Sequence, residues 1–211
     1  MQIELAGTTI TLLPQKAMFL SEHSILIIAD LHLGKAQHFR KAGIFMPAGG
    51  AAKDYQILNS LIEQYNPQQV WFLGDLFHSI HNSEWLQFEA FVQSWPDIAF
   101  TLIRGNHDIL KKEYYQKIGI TVEPHAIILN DLLFSHEPLE EVPEGRINIA
   151  GHIHPGCVVR GKGRQSYRLP CFHLNGPQLL MPAFGYLTGL AIMDVKDAAV
   201  FAVLPDAVVM L

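Results

Sequence analysis

Four short apolar runs in this chain each stop at a cluster of residues that bind metals or make tight turns. Ile25–Ala29 stops at Asp30, and Val70–Leu73 at Gly74-Asp75. Ile98–Ile103 stops at Arg104-Gly105-Asn106, and Ile147–Ala150 at Gly151-His152. Continuous apolar runs of this length suit strands buried on both faces. Between them, Tyr55, Leu58, Leu61, Ile62 and Tyr65 share one helical face. Trp85, Phe88, Phe91, Val92 and Trp95 repeat that spacing, with Asn82 or Ser83 as N-cap. The first half is therefore expected to form strand–helix units around a largely parallel sheet. In such sheets, sites form beyond the carboxyl ends of the strands, where these polar clusters fall.

After about residue 120 the pattern changes. Ala126–Leu129, Leu132–Ser135, Tyr167–Leu174, Leu179–Pro182, Leu190–Met193 and Val200–Leu204 are short runs separated by turn residues. They predict a strand-rich, antiparallel half, with Asn130-Asp131 as a hairpin turn. One long connection, Gly34 to Gly50, mixes Lys35, His38, Arg40 and Lys41 with Phe39 and Phe45.

A length of 211 residues suits a single domain over 1–211, and 49% hydrophobic content argues against disorder. A net charge of −5 means that any nucleic-acid contact needs a local basic patch. The two cysteines, Cys157 and Cys171, make neither a disulfide framework nor a zinc spacing, so a reducing cytoplasm is the simplest setting. No basic-then-apolar leader opens the chain, and its most apolar segment, Leu190–Leu204, is broken by Asp194, Lys196 and Asp197. A soluble protein with no membrane partner is expected.

The polar clusters form an ordered series: Asp30-Leu-His32, Gly74-Asp75, Gly105-Asn106-His107-Asp108, Ser135-His136 and Gly151-His152-Ile-His154. A two-metal hydrolase needs ions about 3.5–4 Å apart, held by carboxylate, imidazole and carbonyl groups. Asp30 and His32, two apart, would share one face of a regular strand, and His152 and His154 repeat that spacing. Asp75 and Asn106 each follow a glycine, which allows close backbone approach. A set without cysteine that mixes oxygen with imidazole suits Mn²⁺, Fe or Zn²⁺.

This series resembles the calcineurin-like metallophosphoesterase superfamily, whose pattern is D-x-H, G-D, G-N-H-[DE], H and G-H-x-H. The resemblance implies an α/β fold of two packed mixed β-sheets flanked by helices, a four-layer αββα sandwich. It implies that Asp30, His32 and His154 hold one metal, that Asn106, His136 and His152 hold the other, and that Asp75 bridges. His107 would act on the departing oxygen or the charged phosphorus centre, oriented by Asp108. The implied reaction is in-line attack of hydroxide on phosphorus, with no covalent enzyme intermediate.

A narrower resemblance adds Ala29–Lys35, Leu73–His78, Arg104–Asp108, Ser135–Pro138, Gly151–Pro155 and Pro182-Ala-Phe-Gly-Tyr-Leu-Thr-Gly189. Together they look like the ligase-associated DNA damage response endonuclease family. Leu190 stands where that family's pattern has a further glycine. This resemblance implies two divalent ions, Mn²⁺ ahead of Fe, Zn²⁺ or Mg²⁺. It also implies cleavage of DNA phosphodiesters in repair, in functional association with an ATP-dependent DNA ligase, a helicase and an exonuclease.

Plainer readings compete. Asp30 and Asp75 alone read as helix N-caps, but five histidines in register outweigh that. His78 and His81 support the ligands from behind or touch substrate, or else are ordinary loop residues. His23, His38, His125 and His173 read as surface or core residues. Arg160, Lys162, Arg164 and Arg168 form a basic stretch that neutralises phosphates or is a solvated hairpin tip. Lys35, Arg40 and Lys41 lie in a connection long for a plain loop, so they join Arg160 and His78 as candidate substrate contacts. Two other functions remain open: a small-molecule phosphoesterase acting on nucleotides, and a non-catalytic metal-binding scaffold.

Overall fold

The computed structural model describes residues 1–34, 50–77, 83–161, 163 and 165–211. The chain starts with a hairpin, β1 (Gln2–Leu5) and β2 (Thr8–Leu12). Its two-residue turn puts Ala6 and Gly7 at φ 47° and 72°, the backbone that matches the twist of paired strands. Next come β3 (Ala17–Leu20) and β4 (Ile25–Ala29), still antiparallel. The sequence reading did not anticipate β1 to β3. The available signal was the β-branched run Thr8-Thr9-Ile10-Thr11, whose alternate residues the structure buries.

From β4 onward the strand–helix expectation holds. Strands β5 (Gln69–Leu73), β6 (Ala99–Ile103) and β7 (Ile120–Glu123) join β4 in parallel, completing a seven-stranded sheet in chain order. The intervening helices are α1 (Gly50–Tyr65), α2 (Ser83–Gln93) and a short α3 (Lys112–Lys117).

The second sheet is built from β8 (Ala126–Leu129), β9 (Leu132–Ser135), β10 (Ile147–Ala150), β11 (Pro155–Arg160), β12 (Ser166–Asn175), β13 (Gln178–Leu180) and β14 (Ala191–Ile192). Their order is β14-β11-β12-β13-β10-β9-β8. Strand β15 (Ala199–Val203) pairs with β12, and β16 (Val208–Met210) pairs with β15. Asn130-Asp131 does close the β8–β9 hairpin, with Asn130 at φ 54°. The antiparallel expectation needs one correction: β10 runs parallel to both β9 and β13, and β11 parallel to β14. The link from Ser135 to Ile147 is too long for a hairpin and crosses over instead. That crossover brings the segments after β9 and β10 to the same end.

Alternation along β4 shows how the layers pack. Leu26 and Ile28 face Leu58, Leu61, Phe88 and Phe91 on the helices. Ile25, Ile27 and Ala29 face Phe134, Ile149, Phe172 and Phe201 of the second sheet. Each fully buried side chain of this kind contributes roughly 1.5–3 kcal/mol. All three helices share the first cluster, which also holds Tyr115 and Ile118. Among the described residues the outer face of the second sheet carries no helix. Only a small cluster of Cys157, Cys171, Val200 and Ala202 lies apart from both cores. The two packed mixed sheets are thus present, whereas the described helices form one outer layer rather than two. Among the described residues, no helix is long and apolar enough to cross a membrane.

Candidate metal centre

Every cluster of the ordered series follows a strand directly. Asp30 and His32 follow β4, Asp75 follows β5, and Asn106 to Asp108 follow β6. His136 follows β9, and His152 and His154 follow β10. Pairing continues past the strand ends: the N–H of His32 donates to Asp75 O at 2.8 Å, and that of Leu33 to Leu76 O at 2.9 Å. The Gly151 N–H donates to His136 O at 3.0 Å, and the His152 N–H to Asp30 Oδ2 at 2.8 Å. The first three extend the pairing within each sheet, and the bond from His152 to Asp30 links the two sheets at one edge.

The ligand candidates reach one point by strained backbone, not by strand alternation. Asp30, His32, Asp75, His152 and His154 have φ of 52°, 51°, 48°, 67° and 56°. Non-glycine residues occupy that left-handed region at a cost of about 1–3 kcal/mol each, and such strain gathers at functional sites. Asp-x-His and His-x-His therefore share a side because alternate residues turn left-handed. This corrects the regular-strand expectation. Gly74, at φ 73°, adds a steric requirement, because a Cβ there would run into the His136 ring.

Two groups result. Asp30, His32 and His154 offer ligand atoms within 4.8 Å of one another, and so do Asp75, His136 and His152. Asp75 stands between them, with Oδ2 3.7 Å from His32 Nε2 and Oδ1 3.4 Å from His136 Nε2. The His136 Nδ1–H donates to Leu73 O at 3.0 Å, which leaves Nε2 as the lone-pair nitrogen of the neutral ring. That nitrogen faces Asn106 Oδ1 at 2.9 Å and His152 Nδ1 at 3.2 Å. In the other group His32 Nε2 and His154 Nε2 lie 3.3 Å apart. Asp30 is fully buried, and its Oδ1 accepts no hydrogen bond although two imidazoles lie 3.6 and 3.8 Å away. A buried carboxylate oxygen and converging lone pairs are costly unless a cation satisfies them. The two groups thus fit a pair of divalent ions, and their oxygen and imidazole donors suit Mn²⁺, Fe or Zn²⁺.

The remaining candidates fall in three places. His107 is exposed at the rim; its ring lies 5.9 Å from that of His32, and its N–H donates to Asp75 Oδ1 at 2.9 Å. The resemblance implies that Asp108 orients His107, but its carboxylate is engaged elsewhere. Oδ1 accepts the N–H groups of Leu76 and Phe77 at 2.9 and 3.1 Å and the Tyr115 hydroxyl at 3.4 Å, and Oδ2 accepts the Gly105 N–H at 2.8 Å. Burial raises its carboxyl to about 6, against the lowering effect of these N–H bonds. Asp108 therefore fastens the loops after β5 and β6 together, which positions Asp75 and Asn106. Lys35, Arg40, Lys41 and His78 lie outside the described residues, as do His38, His81, Lys162 and Arg164. Arg160 is exposed at the far end of β11.

Sequence reasoning missed a brace behind Asp30. The N–H groups of Phe184 and Gly185 donate to Ala29 O and Asp30 O at 2.8 and 3.1 Å. Lys16 Nζ donates to Phe184 O at 2.5 Å, and the Tyr186 N–H donates to Asp54 Oδ1 at 3.1 Å. A Cβ on Gly185 would sit 2.5 Å from Leu31 O. Desolvation lowers Lys16 to about 8 and raises Asp54 to about 6, their mutual attraction opposing both shifts. The Pro182–Gly189 segment was visible in the sequence, but its partners Lys16 and Asp54 were not. A cleft of about 520 Å³, lined by Arg104, Asn106, His125, His136, Glu137 and Glu140 among others, opens beside the second group.

The calcineurin-like phosphoesterase family model matches residues 23–174. Among solved structures, the nuclease MPE of Pseudomonas putida is 27% identical, with a TM-score of 0.85 over 100% of this chain and 99% of that one. The phosphoesterase Yfce of E. coli is 13% identical, with a TM-score of 0.48 over 89% of this chain and 97% of that one. No curated protein matches the chain significantly.

Proposed function

The chain belongs to the calcineurin-like phosphoesterase family, and from that premise we propose that it is a two-metal phosphodiesterase that cuts nucleic acid internally, with DNA as its substrate. The observation that carries this reading is the pair of ligand groups with Asp75 between them. Similarity over the full chain length to a protein described as a nuclease supports the polymer substrate.

Asp30, His32 and His154 would hold one ion; Asn106, His136 and His152 would hold the other; and Asp75 would face both. Bound there, two divalent ions, Mn²⁺ in this proposal, would supply Lewis acidity and a water acidic enough to react near neutral pH. The chain's own residues do the remaining work. The His107 N–H on Asp75 Oδ1 fixes its backbone at the rim. From there its imidazole protonates the departing oxygen or offsets charge on phosphorus. Asp108 keeps the loops carrying Asp75 and Asn106 in register through its three backbone N–H bonds. We place the activity in repair, in functional association with a DNA ligase, a helicase and an exonuclease in the cytoplasm.

The test is cleavage of circular single-stranded DNA with Mn²⁺ beside an Asp75→Asn control. Linearisation by the unmutated protein alone is expected, because a circle offers no ends. A second reading, hydrolysis of a small nucleotide ester, is favoured by the net charge of −5, because a small substrate needs no basic track. If circles stay intact while bis(p-nitrophenyl) phosphate is hydrolysed, that second reading replaces the first.

A further inference from the structure

Charge is unevenly distributed along this acidic chain. Between Gly145 and Met193 lie five of the 15 Lys and Arg residues and none of the 20 Asp and Glu residues. By contrast, Glu137, Glu140, Glu141 and Glu144 crowd the segment just after His136. The acid-free stretch contains the β11–β12 hairpin, which begins at Pro155, the residue after His154. The two sides of the metal centre are thus electrostatically opposite. The second group adjoins a cleft lined by Glu137 and Glu140, where, among the described residues, the two acids outnumber the single cation Arg104. The first group gives rise to a basic arm.

The register of this hairpin decides what each of its faces carries. Val158 pairs with Arg168, and Arg160 with Ser166. Directly paired residues point to the same side of an antiparallel ladder, as do residues two apart. Arg160, Arg168 and Val158 therefore share one face. The opposite face carries Cys157, Val159 and Leu169, which pack into the small cluster with Cys171 and Val200. Arg160 and Arg168 are exposed, as is Val158, at 39%. A Cβ on Gly156, on the same face, would lie 3.0 Å from Leu190 Cβ and 3.3 Å from Ile192 Cδ1. Leu190 and Ile192 are exposed too, at 37% and 43%. The face is an apolar floor edged by two arginines, with no acid on the strands that form it.

We propose that this face of the β11–β12 hairpin holds the sugar–phosphate backbone of a nucleic-acid strand whose scissile phosphate lies at the metal centre. This rests on the polymer reading given above and adds where the polymer runs. At ~3.3 Å per residue, the Val158–Arg168 pair stands roughly 13 Å and Arg160 roughly 20 Å along the strand from His154. Those are reaches of a few nucleotides, suited to phosphates flanking the one cut. Guanidinium groups bind phosphate oxygens in a bidentate fork, and the apolar floor accepts sugar and base edges. With Glu137 and Glu140 against Arg104, the cleft is less favourable to a polyanion than the acid-free arm, so the polymer path favours the arm.

The experiment compares unmutated protein with Arg160→Ala/Arg168→Ala and Arg160→Lys/Arg168→Lys. Three quantities are read: Kd for a short fluorescent single-stranded oligonucleotide, KM for single-stranded DNA with Mn²⁺, and kcat/KM for bis(p-nitrophenyl) phosphate. The alanine pair is expected to raise Kd and the DNA KM roughly tenfold and to leave hydrolysis of the small diester unchanged. The lysine pair is expected to recover most of the loss. Each phosphate contact to a single strand contributes about 0.7 to the slope of log K against log salt, so that slope should shrink by roughly 1.4. Unchanged DNA binding and salt slope, with small-diester hydrolysis intact, overturn the path along the arm but leave the nuclease reading standing. If the unmutated protein hydrolyses the small diester and neither binds nor cuts DNA, the nuclease reading fails and takes the arm with it. An alanine pair that keeps its DNA affinity but sediments as a smaller species overturns the proposal in favour of a self-association face.

Discussion

The two halves of the metal centre are built differently. In the first, all three ligand candidates, Asp30, His32 and His154, sit on left-handed backbone, and Asp30 is locked from behind by Gly185. In the second, Asp75 and His152 are left-handed too, but His136 keeps ordinary backbone at the end of β9, and its ring is aimed by a single bond to Leu73 O. The first half is buried around Asp30, whereas the second includes exposed Asn106 and adjoins an open cleft. A ligand fixed by its own backbone cannot turn away without remodelling its loop, whereas a ring aimed by one side-chain bond can. The contrast predicts firmer ion retention in the first half than in the second.

The largest effect should come from the one residue common to both halves. Asp75→Asn removes the carboxylate facing His32 and His136, and activity is expected to fall by about 10³-fold or more. Mn²⁺ titrated by calorimetry should show both sites weakened. One site unchanged would mean that Asp75 belongs to a single half.

His107→Ala should separate retention from reaction. Turnover is expected to drop by about 10²–10⁴-fold, the usual contribution of a positioned proton donor, while Mn²⁺ stoichiometry stays the same. Loss of metal in this variant would make His107 a ligand and undo the contrast. Full retention of activity would remove it from the mechanism.

Gly74→Ala tests the side-chain-held half alone. A Cβ there meets the His136 ring, and alanine resists φ 73°. A stability loss of roughly 3 kcal/mol is expected in urea unfolding, with weakened second-site Mn²⁺ binding. Equal damage to both sites would show that the halves are mechanically one.

How much of this was legible in the sequence follows the same division. The residue types of both groups could be read, because metal chemistry restricts them to Asp, His and Asn at the ends of apolar runs. Their geometry could not: Asp30 and His32 meet through left-handed turns, which residue spacing does not encode. The Asn130-Asp131 turn was readable because its chemistry is local. The parallel pairing of β9 with β10 was not, because it depends on a crossover. Asp108, next to His107 in sequence, pointed to a catalytic couple, but folding turned its carboxylate onto Leu76, Phe77 and Gly105. Lys16, Asp54 and Tyr186 are too far apart in sequence for any pattern to link them, yet they meet behind Asp30.

That brace supplies the smallest effect and a pH signature. Burial raises the Asp54 carboxyl from 3.8 to about 6, so the folded chain holds its proton more tightly than the unfolded chain. A raised carboxyl favours folding below the unfolded value, and that advantage is lost as pH rises through about 6. In Asp54→Asn the amide does not titrate, and its oxygen would still accept the Tyr186 N–H. This variant is therefore expected to match the unmutated protein near pH 4. It should become relatively more stable by on the order of 2 kcal/mol by pH 7, some of the gain being offset by Lys16 losing its counter-charge. Urea midpoints of metal-free protein across that range check this, and a flat difference would contradict it. Asp54→Ala differs in kind, because it strips the acceptor from a backbone N–H in the segment that bonds Asp30 O. It should weaken Mn²⁺ at the first site and spare the second. If both variants leave first-site affinity unchanged, the strained backbone of Asp30 is held by its own strand pairing, and the brace is incidental to metal retention.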